Sequence, residues 1–470
     1  MKHIFRITTM LCVLGMLGGV NAAACPPKTG YDPALVKKLA VCITEGGLPL
    51  DAASVEKRFS EYSELGISCV RIDTNWEPDG KGGWTVSQST ENVFRAARKY
   101  GIVIKAIIPC LQGDGSDASR LMDKNGRLSI NTVSCWFDGV IDCSRTALSG
   151  MLTALEKSGY KDVVGAVIPH LGPAGEPLYP PAWTQVTNGL DSTDNGEEVM
   201  WCYADNAQAD FRAKMKKKYK SILFANLAWG TSYRGFDEIN VPAEGEASGR
   251  MWSDVLLWYR DSKRELVSGM VKMCRSVLND FDMEDIPLVL YLPGADFTES
   301  AWDECVKEGT AKPGIKLMCD NAYTVKLAKK YKCLLQYTGI TGKYELTLLR
   351  SYMYHNGYAD IPVFGENAGD PISDGDPMKL ADIISEYKLY WLDYTHSRLI
   401  YEQDGTTHGA IFGEFSQAVK RVSEYLESVD ISAQPDVTCG VCDYCGNMHG
   451  GLSGLTIRVC HLIKHLIHGK

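Results

Sequence analysis

VVGAVIPHLGPAGEPLYPP, residues 163–181, joins two unlike halves. The first, VVGAVIPHLG, is an almost unbroken apolar run with several β-branched residues, the pattern of a parallel strand covered on both faces. The second, GPAGEPLYPP, reaches Glu176 through two glycines and a proline, and three more prolines with Leu178 and Tyr179 follow it. Pro fixes one backbone dihedral and Gly opens conformations closed to other residues, so the strand ends in a sharp, stiff bend. A carboxyl in such a bend is either a solvated loop residue or a general acid. A general acid needs apolar surroundings that raise its pKa until it holds a proton near neutrality. The choice depends on what other strand ends bring beside it.

Seven further runs resemble the first half. They are LAVCITEG (39–46), SCVRIDTNW (68–76), IVIKAIIPC (102–110), IPLVLYLPG (286–294), CLLQYTGI (333–340), IPVFGENAG (361–369) and LYWLDYTHSRL (389–399). Amphipathic stretches such as ASVEKRFSEYSELG and STENVFRAARKYG lie between them and stop at Gly, a common helix end. Eight strands alternating with helices predict an α/β fold of the (β/α)8 TIM-barrel type over residues 25–430. The rival is an open doubly wound sheet, but no GxGxxG loop follows the first run to support its usual use. In a barrel the chemistry sits at the C-terminal strand ends, which here carry Asp73, Glu176, Thr338, Glu366 and Arg398. The interval from about 175 to 285 exceeds one connection and reads as an elaborated loop after strand 4 that walls the cleft.

Composition narrows the partners. A net charge of −9 argues against nucleic acid, whose phosphates need a basic face. Ten Trp and 23 Tyr on a mildly acidic chain suit an uncharged ligand such as a sugar, although most aromatic residues build core. Trp76 and Trp229 lie nearest the candidate cleft and are the candidate stacking platforms; Trp84, Trp183 and Trp302 are weaker ones. Lys2, His3 and Arg6, the apolar run LCVLGMLGGV and the small residues before Cys25 read as a signal peptide over 1–24, which implies secretion. Cys25 leaves lipidation open as an alternative. Removing Cys12 with the signal leaves fifteen of the 16 cysteines, and an oxidising compartment favours disulfides, with Cys135 and Cys143 a local candidate pair. Residues 431–470 form a Cys-rich linker and a basic amphipathic tail; Cys439, Cys442, Cys445 and Cys460 read as disulfide partners before zinc ligands. The tail reads as a helix docking on the barrel, with a membrane surface as the other use. No metal motif occurs in the barrel, and no cofactor is expected.

Cleavage of a glycosidic bond by two carboxylates needs one on each side of the anomeric carbon. Glu176 and Glu366 end the fourth and seventh strand candidates, and PVFGENAGD surrounds Glu366 with small residues that leave room for a ligand. GPAGEPLYP resembles the signature around the catalytic acid of β-amylases, glycoside hydrolase family 14, and GENAGD is similar to the second signature of that family. The resemblance implies Glu176 as acid and Glu366 as base of an inverting hydrolysis of α-1,4-glucosidic bonds. It also implies Asp73, in RIDTNWE, and Arg398, in THSRL, as substrate-binding residues, with Thr338, in LLQYTGI, beside the catalytic water. Where the family has a glycine-rich mobile loop with an Asp over the substrate, this chain departs and reads CLQGDGSDASR, in which the resemblance offers Asp114 as a candidate for that substrate-binding role. The family's His before that loop is absent, its His-Trp pair is replaced by PGADFTESAW, and its Arg near the acid by Leu178. KKKYKSILFANLAWGTSYRGFDEINVP resembles a segment of the retaining β-galactosidases of family 42, which carry Asn before their acid where this chain has Ala174-Gly175. A barrel that binds carbohydrate without turning it over is a further alternative.

Overall fold

The computed structural model describes residues 32–428 apart from 46–50, 82, 183–197, 295–298, 341–342, 368–375, 396, 402–406 and 408. The segment expected to be a signal peptide, Cys25, Trp183 and the Cys-rich tail lie outside the described residues. Each of the eight apolar runs contains one short strand. These are β1 (Val41–Thr44), β2 (Cys69–Asp73), β3 (Val103–Ile108), β4 (Val164–Pro169), β5 (Val289–Leu292), β6 (Leu334–Tyr337), β7 (Val363–Glu366) and β8 (Leu392–Thr395). They form one parallel sheet in the order β4-β3-β2-β1-β8-β7-β6-β5. A parallel bridge between Val167 and Leu288 links β4 to the approach to β5. The Val167 N–H donates to the Pro287 carbonyl at 3.0 Å there, which closes the eight strands into a barrel. The expected (β/α)8 fold is the observed one.

Local rules account for the outer helices. Ser87 caps the helix Gln88–Tyr100 by accepting from the Thr90 N–H, and Gly101 ends it at φ 70°, a left-handed conformation natural to glycine. The helix Ala52–Leu65 has the same plan, from Asp51 to Gly66 at φ 83°. Their apolar faces bury Val55, Phe59, Val93 and Phe94 against the strands.

The interval after β4 is more than a loop. It holds helices Asp205–Tyr219, Ile222–Trp229 and Gly249–Asp280, the last 32 residues long. Leu266 to Leu278 of that long helix pack into the barrel core, while Trp252 to Tyr259 belong to a second core with Trp136, Tyr179, Trp201 and Phe211. One rigid helix therefore joins the two cores. Tyr179 stacks on Tyr259 at 4.1 Å between ring centres, and Trp136 on Trp258 at 5.0 Å. Burying such rings stabilises by about 3 to 5 kcal/mol each relative to Ala.

All ten cysteines among the described residues are free thiols. The expected Cys135–Cys143 bridge is not formed. Cys135 Sγ instead faces the Tyr179 hydroxyl at 3.4 Å, so this thiol is committed to the second core. Among the described residues no helix is long and apolar enough to cross a membrane.

Candidate active site

Glu176 is placed by a loop with no spare room. After β4, Pro173–Gly175 make a single tight turn, closed by the Gly175 and Glu176 N–H groups donating to the Gly172 and Pro173 carbonyls at 3.0 and 3.1 Å. A Cβ on Gly172 would lie 2.5 Å from the Glu176 carbonyl oxygen and 2.7 Å from that of Leu178, so only glycine fits. Ala174 at φ 54° is a strained non-glycine position, followed by Gly175 at φ 88°. Tyr179, three residues on, is locked in the second core, its hydroxyl donating to the Tyr259 carbonyl at 3.2 Å. The carboxyl between these anchors is half-buried and accepts from Thr338 Oγ1 at 2.6 Å. Burial raises its pKa from 4.5 to about 7 against the Thr338 hydrogen bond, and the Glu366 charge adds to the rise against Arg71.

Glu366 closes β7 and is buried. Arg71 Nη1 pairs with its Oε1 at 2.7 Å, Thr395 Oγ1 donates to the same oxygen at 3.0 Å, and Gln336 Nε2 donates to Oε2. The partners belong to β2, β8 and β6. Below them the barrel interior is ionic. Lys105, on β3 and without exposure, donates to Gln336 Oε1 at 2.7 Å and to Asp393, whose other oxygen accepts from Thr44 at 2.8 Å. Burial alone raises the Asp393 pKa, but Lys105 and Arg71 together hold its carboxyl well below the usual range. Arg71 also donates to Tyr291 on β5 at 2.9 Å. Two cations thus meet two carboxylates in a buried interior, and the pairing fixes the Glu366 side chain in one orientation.

The remaining expected residues lie on separate strand ends, loops and helices. Asp73 ends β2 with its side chain exposed and without an ion pair among the described residues. Thr338 follows β6 and is half-buried. Arg398 is exposed on the turn Ser397–Leu399 after β8. Asp114 is exposed in its loop, where its carboxylate accepts from the Ser116 hydroxyl and N–H at 2.6 and 2.9 Å. Those two bonds lower its pKa. Trp76 packs against the barrel core, and its indole N–H has no partner among the described residues. Trp229 packs on the second core, donates to Asp254 at 2.9 Å and meets the Tyr219 ring edge-on. The structure brings Glu176, Glu366 and Thr338 together, whereas Trp229 is held by the second core.

Sequence reasoning passed over Arg71, Lys105, Tyr291, Gln336, Asp393 and Thr395. A signal was present: Arg71, Lys105, Gln336 and Asp393 are charged or amide residues inside runs otherwise read as buried strands, and buried charges require partners. His170, at the end of β4, was also missed. Burial lowers the pKa of its imidazole, against the Asp73 charge, and its ring lies 3.6 Å from where a Gly175 Cβ would stand. Glu45, just past β1, has its pKa raised to about 7 by burial, against the Arg58 charge and the Ser397 hydrogen bond. Tyr62 and Ser397 both donate to it, so it ties β1 to the segment after β8. Among the described residues no group of three His, Cys, Asp or Glu side chains could hold a metal ion.

Residues 109–262 match the model of Glycosyl hydrolase family 14. The resemblance is to family 14. The matched segment contains Asp114 and Glu176, and Glu366 falls beyond it. The thermophilic beta-amylase of Thermoanaerobacterium thermosulfurigenes is 30% identical over 153 residues, which cover 31% of this chain and 27% of that protein. The chain thus spans about a quarter of that curated relative's length. The catalytic domain of the beta-amylase from Paenibacillus polymyxa superposes with a TM-score of 0.65 at 17% identity, over 83% of this chain and 99% of that one. A beta-galactosidase from Marinomonas ef1 follows at TM-score 0.54 and 14% identity, over 83% of this chain and 60% of its own. Both structural likenesses concern the fold. The segment that matches family 14 includes the loop that carries Glu176.

Proposed function

We propose that this protein is a secreted, β-amylase-like glycoside hydrolase that cleaves α-1,4-glucosidic bonds with inversion. Glu176 is the general acid: with its pKa raised to about 7, a large fraction of the molecules hold a proton near neutrality to give to the leaving oxygen. Glu366, ion-paired to Arg71 and held by Thr395, is the base that activates water on the opposite face of the sugar. The observation that carries this reading is the union of Glu176, Thr338 and Glu366 at one barrel mouth. Thr338 bridges toward Glu176 from β6, and the Glu366 charge reaches the Glu176 carboxyl. Asp73 and Arg398 line the same end and suit sugar hydroxyls. A general acid contributes roughly 10²- to 10⁴-fold, so Glu176→Gln is expected to lower hydrolysis of maltotetraose by that factor with the fold intact. Undiminished hydrolysis by that variant removes the acid assignment, and glucan binding without turnover in the wild type supports a non-catalytic barrel.

The segment 216–242, similar to family 42 β-galactosidases, favours a second reading, a retaining β-galactosidase. Release of galactose from a β-galactoside, first as the β anomer, with no cleavage of maltotetraose, would establish it.

A further inference from the structure

The helix Ile222–Trp229 presents the exposed large hydrophobic side chains of the described residues: Leu223 at 60%, Phe224 at 58% and Leu227 at 72%. Leu223 and Leu227 are four apart and share one face, with Phe224 beside them. The helix is not frayed. Ser221 accepts from the Leu223 N–H at 3.2 Å, and Gly230 ends it at φ 70°. Asn226 Nδ2 donates to the Tyr233 carbonyl at 2.8 Å while its Oδ1 accepts from the Tyr233 N–H at 3.0 Å. Ala225 is buried on the opposite side. A well-fixed helix therefore turns three large apolar side chains outward, which soluble surfaces rarely do without a partner.

The chain just before it supplies the charge. Lys214 and Lys218 are paired with Glu265 and Asp254, but Lys216, Lys217 and Lys220 are exposed and without an ion pair among the described residues. Three such cations thus stand within seven residues of Leu223, on a chain whose net charge is −9. A second copy of the chain fits poorly, since a two-fold contact would oppose the same lysines. An uncharged glucan makes no use of them. Exposed Leu and Phe beside free lysines match the surface of an anionic lipid bilayer, where rings and alkyl chains enter the headgroup boundary and ammonium groups meet lipid phosphate. We infer that the Ile222–Trp229 helix and its preceding lysines form a peripheral membrane-binding surface for anionic lipid. The surface belongs to the second core, apart from Glu176 and Glu366, so the inference stands whether or not the proposed hydrolysis does.

The test is co-sedimentation of the full chain with extruded vesicles of phosphatidylcholine alone or mixed equally with phosphatidylglycerol, at low and high salt. Binding is expected to the mixed vesicles, weakened by salt, and little to phosphatidylcholine. The triple variant Lys216→Gln/Lys217→Gln/Lys220→Gln should lower the partition roughly a hundredfold. Leu223→Ser/Phe224→Ser/Leu227→Ser should lower it at least about tenfold, with unchanged circular dichroism because these side chains are exposed. No binding, equal binding to both vesicles, or full binding by either variant overturns the inference. So does a dimer in sedimentation velocity that the apolar variant abolishes.

Discussion

Replacing Thr338 with Val removes the one hydroxyl among the described residues that donates to the Glu176 carboxyl, at 2.6 Å, and keeps the side-chain shape. That bond favours the ionised form, so its loss moves the Glu176 pKa upward from about 7. A hydrogen bond to a charged group contributes about 1.5 to 3 kcal/mol, and each pKa unit corresponds to about 1.36 kcal/mol. Glu176 is half-buried, and water can replace part of the lost donor, so the lower end of that range applies. The expected shift is about one unit upward. Carbon-13 NMR of protein labelled at glutamate carboxyls reads this without a substrate, with Glu176→Gln identifying the resonance. The alkaline limb of the pH–rate profile for maltotetraose should move with it. A midpoint that stays put or falls would refute the geometry assigned to Thr338.

Glu176 also writes a pH dependence into stability. Its folded pKa of about 7 exceeds the ordinary 4.5, so between these values the native state binds more protons than the unfolded state, and stability falls as pH rises. Glu176→Gln should flatten that slope, gaining over the wild type in urea unfolding at pH 8 but not at pH 4. Lys105→Met leaves the buried Asp393 carboxylate short of its nearest cation, and a loss of about 3 to 5 kcal/mol is expected by urea unfolding. Adding Asp393→Leu should recover much of it; a single variant as stable as the wild type would show that the pair is not buried as described. Gly172→Ala puts a methyl 2.5 Å from the Glu176 carbonyl and should abolish hydrolysis through displacement of the loop, read by activity beside an intact circular dichroism spectrum.

The barrel was legible because parallel strands covered on both faces leave continuous apolar runs, and all eight runs contain a strand. Glu176 and Glu366 stood out in the sequence for another reason: a stiff glycine–proline bend and a ring of small residues around single carboxylates are local features. The ionic interior was harder to read. Arg71 sits two residues before Asp73, but its partners Glu366, Asp393 and Tyr291 lie on β7, β8 and β5, and only barrel closure joins them. The same holds for the second core. Tyr179 appears in sequence as part of the Glu176 motif, while Tyr259 and Trp136, which hold it, lie far along the chain. Trp229 looked like a cleft residue from its place in the long interval, yet Asp254 and Tyr219 draw it into that core. The Cys135 thiol was read from compartment and spacing, and its contact with Tyr179 lies outside both signals.

Proton NMR of the first product released from maltotetraose tests the pairing of Glu176 and Glu366 most directly, because the anomer records which side of the sugar the water approached. New sugar appearing first as the β anomer, and lost with either Glu176→Gln or Glu366→Gln, is the expected result. A first product in the α form, or release that survives both substitutions, would contradict it.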